Sequence, residues 1–568
     1  MTLSSASSPA FSESRSDWRA LLPYAPLALI AAAAIALQAR LGTVDDVSWL
    51  ITASERTLDG QVPYKDFLEV NPPASILMYL PAVGLARLLG AAPELVVAAF
   101  GFLGIAASMV LSAAILARAG LIEKFGASGA CLTLVALAVL PAHAFDERDH
   151  IAALAGLPFL ALAAARSVGA RFDWRLALLA GVGAGLMASI KPPYALAELA
   201  LAPYLAARLG PRALLGCFEY YVAALVGLAY ALATVLLFPA FVSDVMPLAS
   251  AIYLPLREST IGLLLNTGVV LWLALFLASL MMAGKGRSEP LFAIPTLASL
   301  GALASFFIQG KGWSYHIYPA LAFALVALGA ALATSKREAW LLFAAIVCAT
   351  AACVAALLVG RWPVQTMIGI AIIGAALTLA ISRLISGASI GDRGLPLSEM
   401  IAASAIGVAV AMFLAEGLPQ PALAKALARL GPHPTILAIS ESLAFGHPLV
   451  REVGGVWAQR VPSLWITVAA DRLIAESHAD PKVQARLAPF MRADRAMLLQ
   501  DLAGRPDAIL VGRIDGPAYK TFWQDPEIVA ALADYRFFAG NDDPSWPAMI
   551  YARRDLIGLR TQPDGETR

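Results

Sequence analysis

The sequence predicts an α-helical membrane protein that crosses the bilayer many times and ends in a small soluble α/β domain. Of the 568 residues, 59% are hydrophobic and only 14% are charged, whereas soluble proteins carry roughly 25% charged residues. Apolar runs long enough to cross ~30 Å of hydrocarbon as helices recur over the first 416 residues. After Gly417 the hydropathy falls, and proline, charged residues and short β-type runs appear.

Composition also excludes several functional classes. The low charge excludes a soluble cytosolic enzyme, a disordered protein and a nucleic-acid binder, so the lipid bilayer is the partner that composition requires. Lys and Arg number 41 against 40 Asp and Glu, so any useful charge must be local. The four cysteines all lie inside apolar runs, without the spacing of a zinc site or a disulfide framework.

The transmembrane domain is predicted over residues 20–416, after a cytoplasmic leader of residues 1–19. Runs suitable for about thirteen helical spans occur at 20–38, 94–117, 125–143, 150–166, 176–190, 193–207, 214–242, 259–283, 288–308, 316–334, 338–360, 363–386 and 398–416. The first is interpreted as a retained signal anchor. The run Ile76–Leu89 is left out, because about fourteen residues bordered by prolines have the length of an interfacial or re-entrant helix.

Loop charges set the orientation of these spans. With Ile76–Leu89 excluded, Lys and Arg are about twice as frequent in the loops on the side of the N-terminus, which therefore faces the cytoplasm. An odd number of spans then places residues 417–568 outside. There, apolar runs at Thr435–Ile439, Ala508–Val511 and Met549–Ala552 alternate with a helical stretch near Pro481–Leu502, which predicts an α/β domain.

The first outer loop, residues 39–93, is predicted to carry interfacial helices and holds the most informative motifs. Asp45-Asp46 follows the first span; an amphipathic segment then leads to Asp59-Gly60, Pro63-Tyr64-Lys65-Asp66-Phe67 and Asn71-Pro72-Pro73. Over about 35 residues this order resembles the first periplasmic loop of the GT-C superfamily of polyprenyl-phosphate-sugar-dependent glycosyltransferases, in particular bacterial aminoarabinose transferases and protein O-mannosyltransferases.

The resemblance implies a GT-C-like catalytic membrane domain in a bacterial inner membrane, with residues 417–568 in the periplasm. It implies transfer of a sugar, with inversion, from a polyprenyl-phosphate-linked donor to a glycan, lipid or protein acceptor. Asp45 stands at the position of the family's catalytic base. Two departures are visible: Asp46 replaces a frequent Glu, and Asn71 stands where aminoarabinose transferases have a Lys that helps hold the lipid phosphate.

Such a transfer needs a carboxylate that takes the acceptor's proton and cations that stabilise the departing phosphate. The outer loops supply both kinds of group. The candidate catalytic residues are Asp45, Asp46, Asp146 and Asp149. The candidate substrate-binding residues are Lys65, Asn71, Arg148, Lys191, Arg257, Lys311, Trp313, Tyr315 and His316.

Structural roles would also explain several of these residues. Asp46 could cap a helix that starts near Val47, and Asp149 could cap the next span while Arg148 pairs with Glu147 in solvent. Lys311 and the aromatic residues after it could form an interfacial belt. No metal ligands are assigned, because His150 with scattered carboxylates is a weak signal, but a divalent metal ion is left open as a cofactor.

Two other functions compete with glycosyl transfer. A lipid or polysaccharide flippase or transporter would line its path with charges inside the spans, where Glu198 and Glu219 are nearly the only ones. An O-antigen-ligase-type enzyme is expected to concentrate Arg and His in one large, late outer loop, whereas the longest loop of the membrane domain is the first. The sequence contains no Walker A motif.

Overall fold

A computed structural model describes residues 25–171, 173–334, 421–512, 522–541 and 548–558. The leader, residues 1–19, and the predicted spans 338–360, 363–386 and 398–416 lie outside the described residues. The total of thirteen spans therefore stays a prediction.

The described part of the membrane domain consists of helices α1 to α17. In chain order they are Ala25–Leu41, Asp45–Leu58, Ala74–Leu77, Leu80–Leu89, Pro93–Arg118, Ile122–Leu134, Arg148–Ser167, Trp174–Ile190, Ala195–Leu199, Ala202–Leu209, Pro211–Leu214, Phe218–Leu237, Met246–Leu248, Thr260–Leu264, Thr267–Ala283, Pro290–Gln309 and Tyr318–Thr334. Segments of π-helix follow α6 at Val135–Val139 and flank α13 at Phe241–Val245 and Ala249–Tyr253.

Six helical segments in the described ranges are long and apolar enough to cross a membrane. Helices α1 and α2 would add a seventh only as a pair bent by 75°. The predicted runs 193–207 and 259–283 are interrupted instead. In the second run, the Asn266 side-chain oxygen accepts a hydrogen bond from Gly268 N at 2.9 Å, so that α15 starts after the break that ends α14.

Helix α2 is an amphipathic helix of the first outer loop rather than a continuation of α1. Gly42, with φ of 72°, allows the chain to turn sharply between the two helices. The face of α2 with Trp49 packs in a hydrophobic cluster with Phe67 and Tyr79 of the first outer loop and with Trp457 of the C-terminal domain. This packing fixes α2 between the membrane domain and the soluble domain.

Helix α7 is mostly buried, and among the candidate spans in the described ranges only the segment Ser314–Ala333 is more enclosed. It packs so closely against α8 that a Cβ added at Gly183 would lie 2.2 Å from the carbonyl oxygen of Ala155. Small residues allow such close helix packing in membranes. Close packing on α8 therefore fixes the position of α7.

The C-terminal segment contains a five-stranded mixed sheet with strands in the order β2-β1-β3-β5-β4. Strand β1 pairs in parallel with β2 and β3, and β5 pairs antiparallel with β3 and β4. The strands are Thr435–Ile439, Val456–Trp457, Ala508–Val511, Tyr535–Asn541 and Ala548–Arg553. Helices α18 to α23 are Pro421–Ala428, Leu449–Glu452, Trp465–Glu476, Pro481–Ala503, Pro526–Leu532 and Arg554–Gly558.

This domain docks on the C-terminal half of α2. Arg451 binds Glu55 of α2 and Glu94 of α5, with closest N···O distances of 2.5 Å in each pair. Arg56 of α2 donates to the backbone carbonyl oxygens of Trp457 and Gln459 at 2.5 and 2.8 Å. Both arginines thus tie the soluble domain to the first outer loop.

Candidate active site

Charged side chains meet at the N-terminus of α2. The first helical residues are Asp45 and Asp46, and the preceding Val44 provides no side-chain cap. Asp46 forms a buried ion pair with Arg148, at 2.7 Å between Oδ2 and Nη2. The capping interpretation of Asp46 is therefore wrong, and so is the solvent pair between Arg148 and Glu147.

Asp45 lies beside this ion pair. Its Oδ1 accepts a hydrogen bond from the backbone N–H of Asp46 at 3.0 Å. Burial, together with the neighbouring Asp46 charge, raises the pKa of Asp45 to about 7. A carboxyl group with this pKa exchanges protons near neutral pH, as a general base must.

Glu147 precedes α7 and faces the same cluster. Its side chain is fully buried, and neither carboxylate oxygen has a hydrogen-bond partner among the described residues. Burial, and then the charge of Asp46, raises its pKa well above the usual value. The nearby Arg148 also keeps a buried Nε without a partner in the described part of the chain.

A second ion pair is formed by the next residue of α7, Asp149. Lys191 Nζ binds both oxygens of Asp149, at 2.7 and 2.9 Å, and the Tyr194 hydroxyl donates to the same carboxylate. Asp149 therefore does not cap α7. Lys191 also lies 5.2 Å from the ring centre of Tyr315, which links this pair to the loop after α16.

The loop after α16 brings Lys311 and His316 to the border of the cluster. Lys311 Nζ donates to the carbonyl oxygens of Tyr253 and Leu256, and burial lowers its pKa to about 8. The charges of Lys191, Arg148 and Lys311 all act on the buried His316 ring. The Nδ1 atom of His316 has no partner among the described residues.

Trp313 and Tyr315 frame His316 with their rings. The ring centres of Trp313 and Tyr315 lie 5.1 and 4.7 Å from that of His316. Trp313 is 41% exposed, so it is the part of this aromatic group that reaches the surface. Aromatic rings in this arrangement offer both a stacking surface and a contact with the lipid interface.

Asp146 and His150 have structural partners in the loop before α7. The backbone N–H of Asp146 donates to His150 Nδ1 at 3.0 Å, and His150 Nε2 lies 2.8 Å from the carbonyl oxygen of Leu137. Both ring nitrogens are therefore occupied. The Asp146 carboxylate packs against Gly101, where an added Cβ would lie 2.0 Å from Oδ1, and burial raises its pKa well above the usual value.

Three predicted substrate-binding residues lie away from this cluster or have local roles. Arg257 donates to the carbonyl oxygens of Phe307 and Ile308, both at 2.9 Å, and so caps the end of α16. Lys65 is exposed on the first outer loop. The Asn71 side chain donates to the buried Glu69 at 2.6 Å.

The sequence reasoning missed several residues of the site. Glu147 lies in the charged loop, but without tertiary contacts nothing distinguishes it from its acidic neighbours. Glu69 also accepts a hydrogen bond from Trp49 at 2.5 Å. A Trp and a Glu in the same loop are a weak sequence signal for such a pair. Tyr194 follows Lys191 by three residues, a spacing that could have suggested a shared partner.

Metal ligands are not assembled among the residues that the structure describes. Within these ranges, no group of three or more His, Cys, Asp or Glu side chains has an arrangement suited to a metal ion. Five carboxylates in the described ranges, of Asp45, Asp46, Glu69, Glu147 and Asp149, lie around two cations, Arg148 and Lys191. Such a centre can accept a proton at Asp45, while Lys311 offers positive charge and the His316 ring offers a hydrogen-bond donor at its border.

Known structures share this architecture. The chain is similar to ArnT from Cupriavidus metallidurans in the apo state, with 16% identity over 95% of this chain and 98% of that one, and a TM-score of 0.56. The same protein bound to undecaprenyl phosphate has 17% identity over 94% of this chain and 98% of that one, with a TM-score of 0.53. An oligosaccharyltransferase from Archaeoglobus fulgidus has 14% identity over 94% of this chain and 74% of that one, with a TM-score of 0.42.

No family model and no curated protein matches the chain. At 16–17% identity, the similarity to the two ArnT structures shows the fold. The chain thus has the fold of these ArnT structures, in agreement with the fold that the first outer loop implied.

Proposed function

We propose that this chain is an inner-membrane glycosyltransferase that moves a sugar from a polyprenyl-phosphate donor, with inversion, to a glycan, lipid or protein acceptor on the periplasmic side. One observation carries the proposal: Asp45, with a pKa of about 7, lies at the start of α2 in a buried charge cluster. The GT-C fold supports it, and one of the similar ArnT structures is bound to undecaprenyl phosphate.

Asp45 acts as the general base. Its ionised carboxylate takes the proton of an acceptor hydroxyl while the hydroxyl oxygen bonds to the anomeric carbon of the donor sugar. The bond from that carbon to the phosphate oxygen breaks, and the electron pair leaves with the lipid phosphate. A single displacement of this kind inverts the anomeric centre.

The departing phosphate needs positive charge. Arg148 and Lys191 are each bound to a carboxylate, whereas the Lys311 ammonium group binds only carbonyl oxygens in the described structure. Lys311 and the unpaired Nδ1 of His316 therefore stabilise the phosphate as its charge develops. They compensate for Asn71, which carries no charge.

The test compares Asp45→Asn with Asp59→Asn. The amide keeps the shape of the protonated carboxyl but cannot take a proton, so turnover should fall by at least ~10²-fold while thermal stability is retained. Asp59 caps the other end of the same helix, ~20 Å away at 1.5 Å per residue, and binds Arg87 at the surface. Steady-state kinetics with a purified polyprenyl-phosphate sugar measures both variants. Turnover of Asp45→Asn within tenfold of the parent contradicts the assignment.

The proposed location has its own test. An alkaline phosphatase fused to the C-terminus should be active, and a fluorescent protein that folds only in the cytosol should be dark. The reverse pattern would place residues 417–568 in the cytoplasm and would mean that Ile76–Leu89 spans the bilayer.

A further inference from the structure

A polar groove lies between the first outer loop and the C-terminal domain, away from the charge cluster. It has a volume of about 550 Å³ and is lined by Arg56, Lys65, Gln459, Arg460 and Gln500, among others. Arg56 follows Asp45 by eleven residues on α2, which corresponds to ~16 Å along the helix axis. The groove is thus separate from the reacting centre but joined to it by one rigid helix.

We infer that this groove binds an acidic glycan segment of the acceptor, that is, a chain of sugars carrying carboxylate or phosphate groups. The inference rests on the proposed function, because it assigns the groove to the acceptor of that reaction. The groove has the size of a site for a few sugar units, since ligand pockets commonly measure ~300–1,000 Å³.

The charges of the groove favour an acidic ligand. Its three cations, Arg56, Lys65 and Arg460, outnumber its two carboxylates, Asp66 and Asp501. Asp501 pairs with Arg460 at 3.4 Å, and Asp66 accepts a hydrogen bond from the backbone N–H of Val62 at 2.6 Å. The exposed Lys65 ammonium group, in contrast, has no hydrogen-bond or ion-pair partner within the described ranges. One cation is left for a ligand anion.

The amide side chains favour sugar hydroxyls. Gln500 is exposed in the groove and binds Arg460 Nη1 through its oxygen at 2.5 Å, which leaves its amide donors for a ligand. Gln459 accepts from the backbone N–H of Ala438 through Oε1, while its buried Nε2 has no partner in the described structure. A buried donor without an acceptor is costly, so an incoming hydroxyl oxygen would be stabilised.

A peptide fits this groove less well. Strand β2 is the edge of the sheet, and an extended peptide could add to a free edge. Arg56, however, already binds the carbonyl oxygens of Trp457 and Gln459, two alternate residues on the outer side of that edge. The acceptors that a peptide strand would need are therefore occupied.

The test measures binding to the full-length protein in detergent by calorimetry. The probes are a short oligogalacturonate, a neutral maltooligosaccharide of equal length and an oligoglutamate peptide. We expect oligogalacturonate to bind most tightly, Lys65→Glu to weaken it at least about tenfold, and Gln500→Ala to weaken it about threefold. Lys482→Glu, an exposed substitution ~27 Å along α21 from Gln500, is the matched control and should change binding less than about twofold.

Each other outcome overturns the inference. Equal binding of oligoglutamate would indicate recognition of charge or of a peptide, equal binding of maltooligosaccharide would remove the acidic requirement, and no binding would remove the site. Binding is also measured with Asp45→Asn and should be unchanged. If Asp45→Asn keeps its turnover while oligogalacturonate still binds, the proposed function fails, and the assignment of the groove to an acceptor fails with it. If oligogalacturonate does not bind but Asp45→Asn loses turnover, the groove assignment fails and the proposed transfer reaction stands.

Discussion

The two ends of helix α2 bury charged side chains in different ways. At the C-terminal end, Arg451 uses all three guanidinium nitrogens, binding Glu55 and Glu94. At the N-terminal end, both oxygens of Glu147 and the Nε of Arg148 are buried without partners among the described residues. Because an unpaired buried charge is costly, the satisfied end is a docking contact and the unsatisfied end is where a ligand is expected.

Burial of charge therefore does not by itself mark a site. Both ends hold arginine–carboxylate pairs with N···O distances of 2.5–2.7 Å. Only the N-terminal end combines them with a titratable Asp45 and with a cation, Lys311, that no carboxylate neutralises in the described structure. Unmet hydrogen-bonding capacity separates the two regions.

The largest expected effect concerns the hydrogen-bond donors at the border of the N-terminal end. Lys311→Ala or His316→Ala should lower turnover by ~10²–10³-fold, because each removes a donor that acts mainly on the developing phosphate charge. Lys191→Ala should lower turnover or raise the Michaelis constant for the donor. Steady-state kinetics checks these variants, with Lys482→Ala as the control.

A metal ion is the alternative source of positive charge. The same assays are repeated with a chelator, because a bound divalent ion could replace these side chains. If the variants of Lys191, Arg257, Lys311 and His316 all keep parental turnover and donor affinity, the cationic pocket is wrong. Loss of activity on chelation would then assign the role to a metal.

The second prediction changes the docking end. Arg451→Met keeps much of the side-chain volume but leaves Glu55 and Glu94 without their partner, so the protein should lose about 1–3 kcal/mol of stability. Turnover at a permissive temperature should stay within about threefold of the parent. Thermal unfolding in detergent and transfer assays measure the two quantities. A stable variant with ~10²-fold lower turnover would show that the docking end takes part in the chemistry.

The sequence revealed the position of the site but not its connections. The motif at Asp45-Asp46 and the charged loop before α7 are visible as short patterns, and the structure brings both together. The pairing of Asp46 with Arg148 joins residues 102 positions apart, and that of Asp149 with Lys191 joins residues 42 apart. Such pairs depend on how the helices pack, which the local sequence does not encode.

Backbone acceptors explain another part of what sequence reasoning missed. Arg257 has the position of an outer-face cation in the sequence, yet it binds carbonyl oxygens of α16, which have no side-chain signature. The long apolar helices were visible because hydropathy alone indicates them. The break at Asn266 was not, because one polar residue barely changes the hydropathy of its run.

The third prediction uses pH to separate the two ends. Asp45 must be ionised to act as a base, and its pKa is about 7, so turnover should fall by about tenfold per pH unit below pH 7. The guanidinium at the docking end does not titrate there, because its carboxylate partners raise the pKa of Arg451 further above its already high value. The pH profile of turnover between pH 5 and about 8 measures this.

Stability should respond with the opposite sign. A carboxyl group whose pKa is raised in the folded state binds its proton more tightly there, so its stabilising contribution is complete below its unfolded pKa of 3.8 and is lost as pH rises through about 7. Asp45→Asn should remove this part of the pH dependence of Tm. An unchanged dependence would contradict the raised pKa.

The smallest expected effect is that of Glu94→Gln at the docking end. The amide oxygen can still accept the hydrogen bond from Arg451 Nε, and the Glu94 side chain is 31% exposed, so the cost should be below about 1 kcal/mol. Turnover should equal that of the parent, because Glu55 still holds Arg451 and α2 keeps its position. Thermal unfolding and transfer assays on the purified variant check both expectations. A tenfold loss of turnover with normal stability would mean that the docking contact sets the position of Asp45, and the two ends of α2 would then have to be treated as one functional unit.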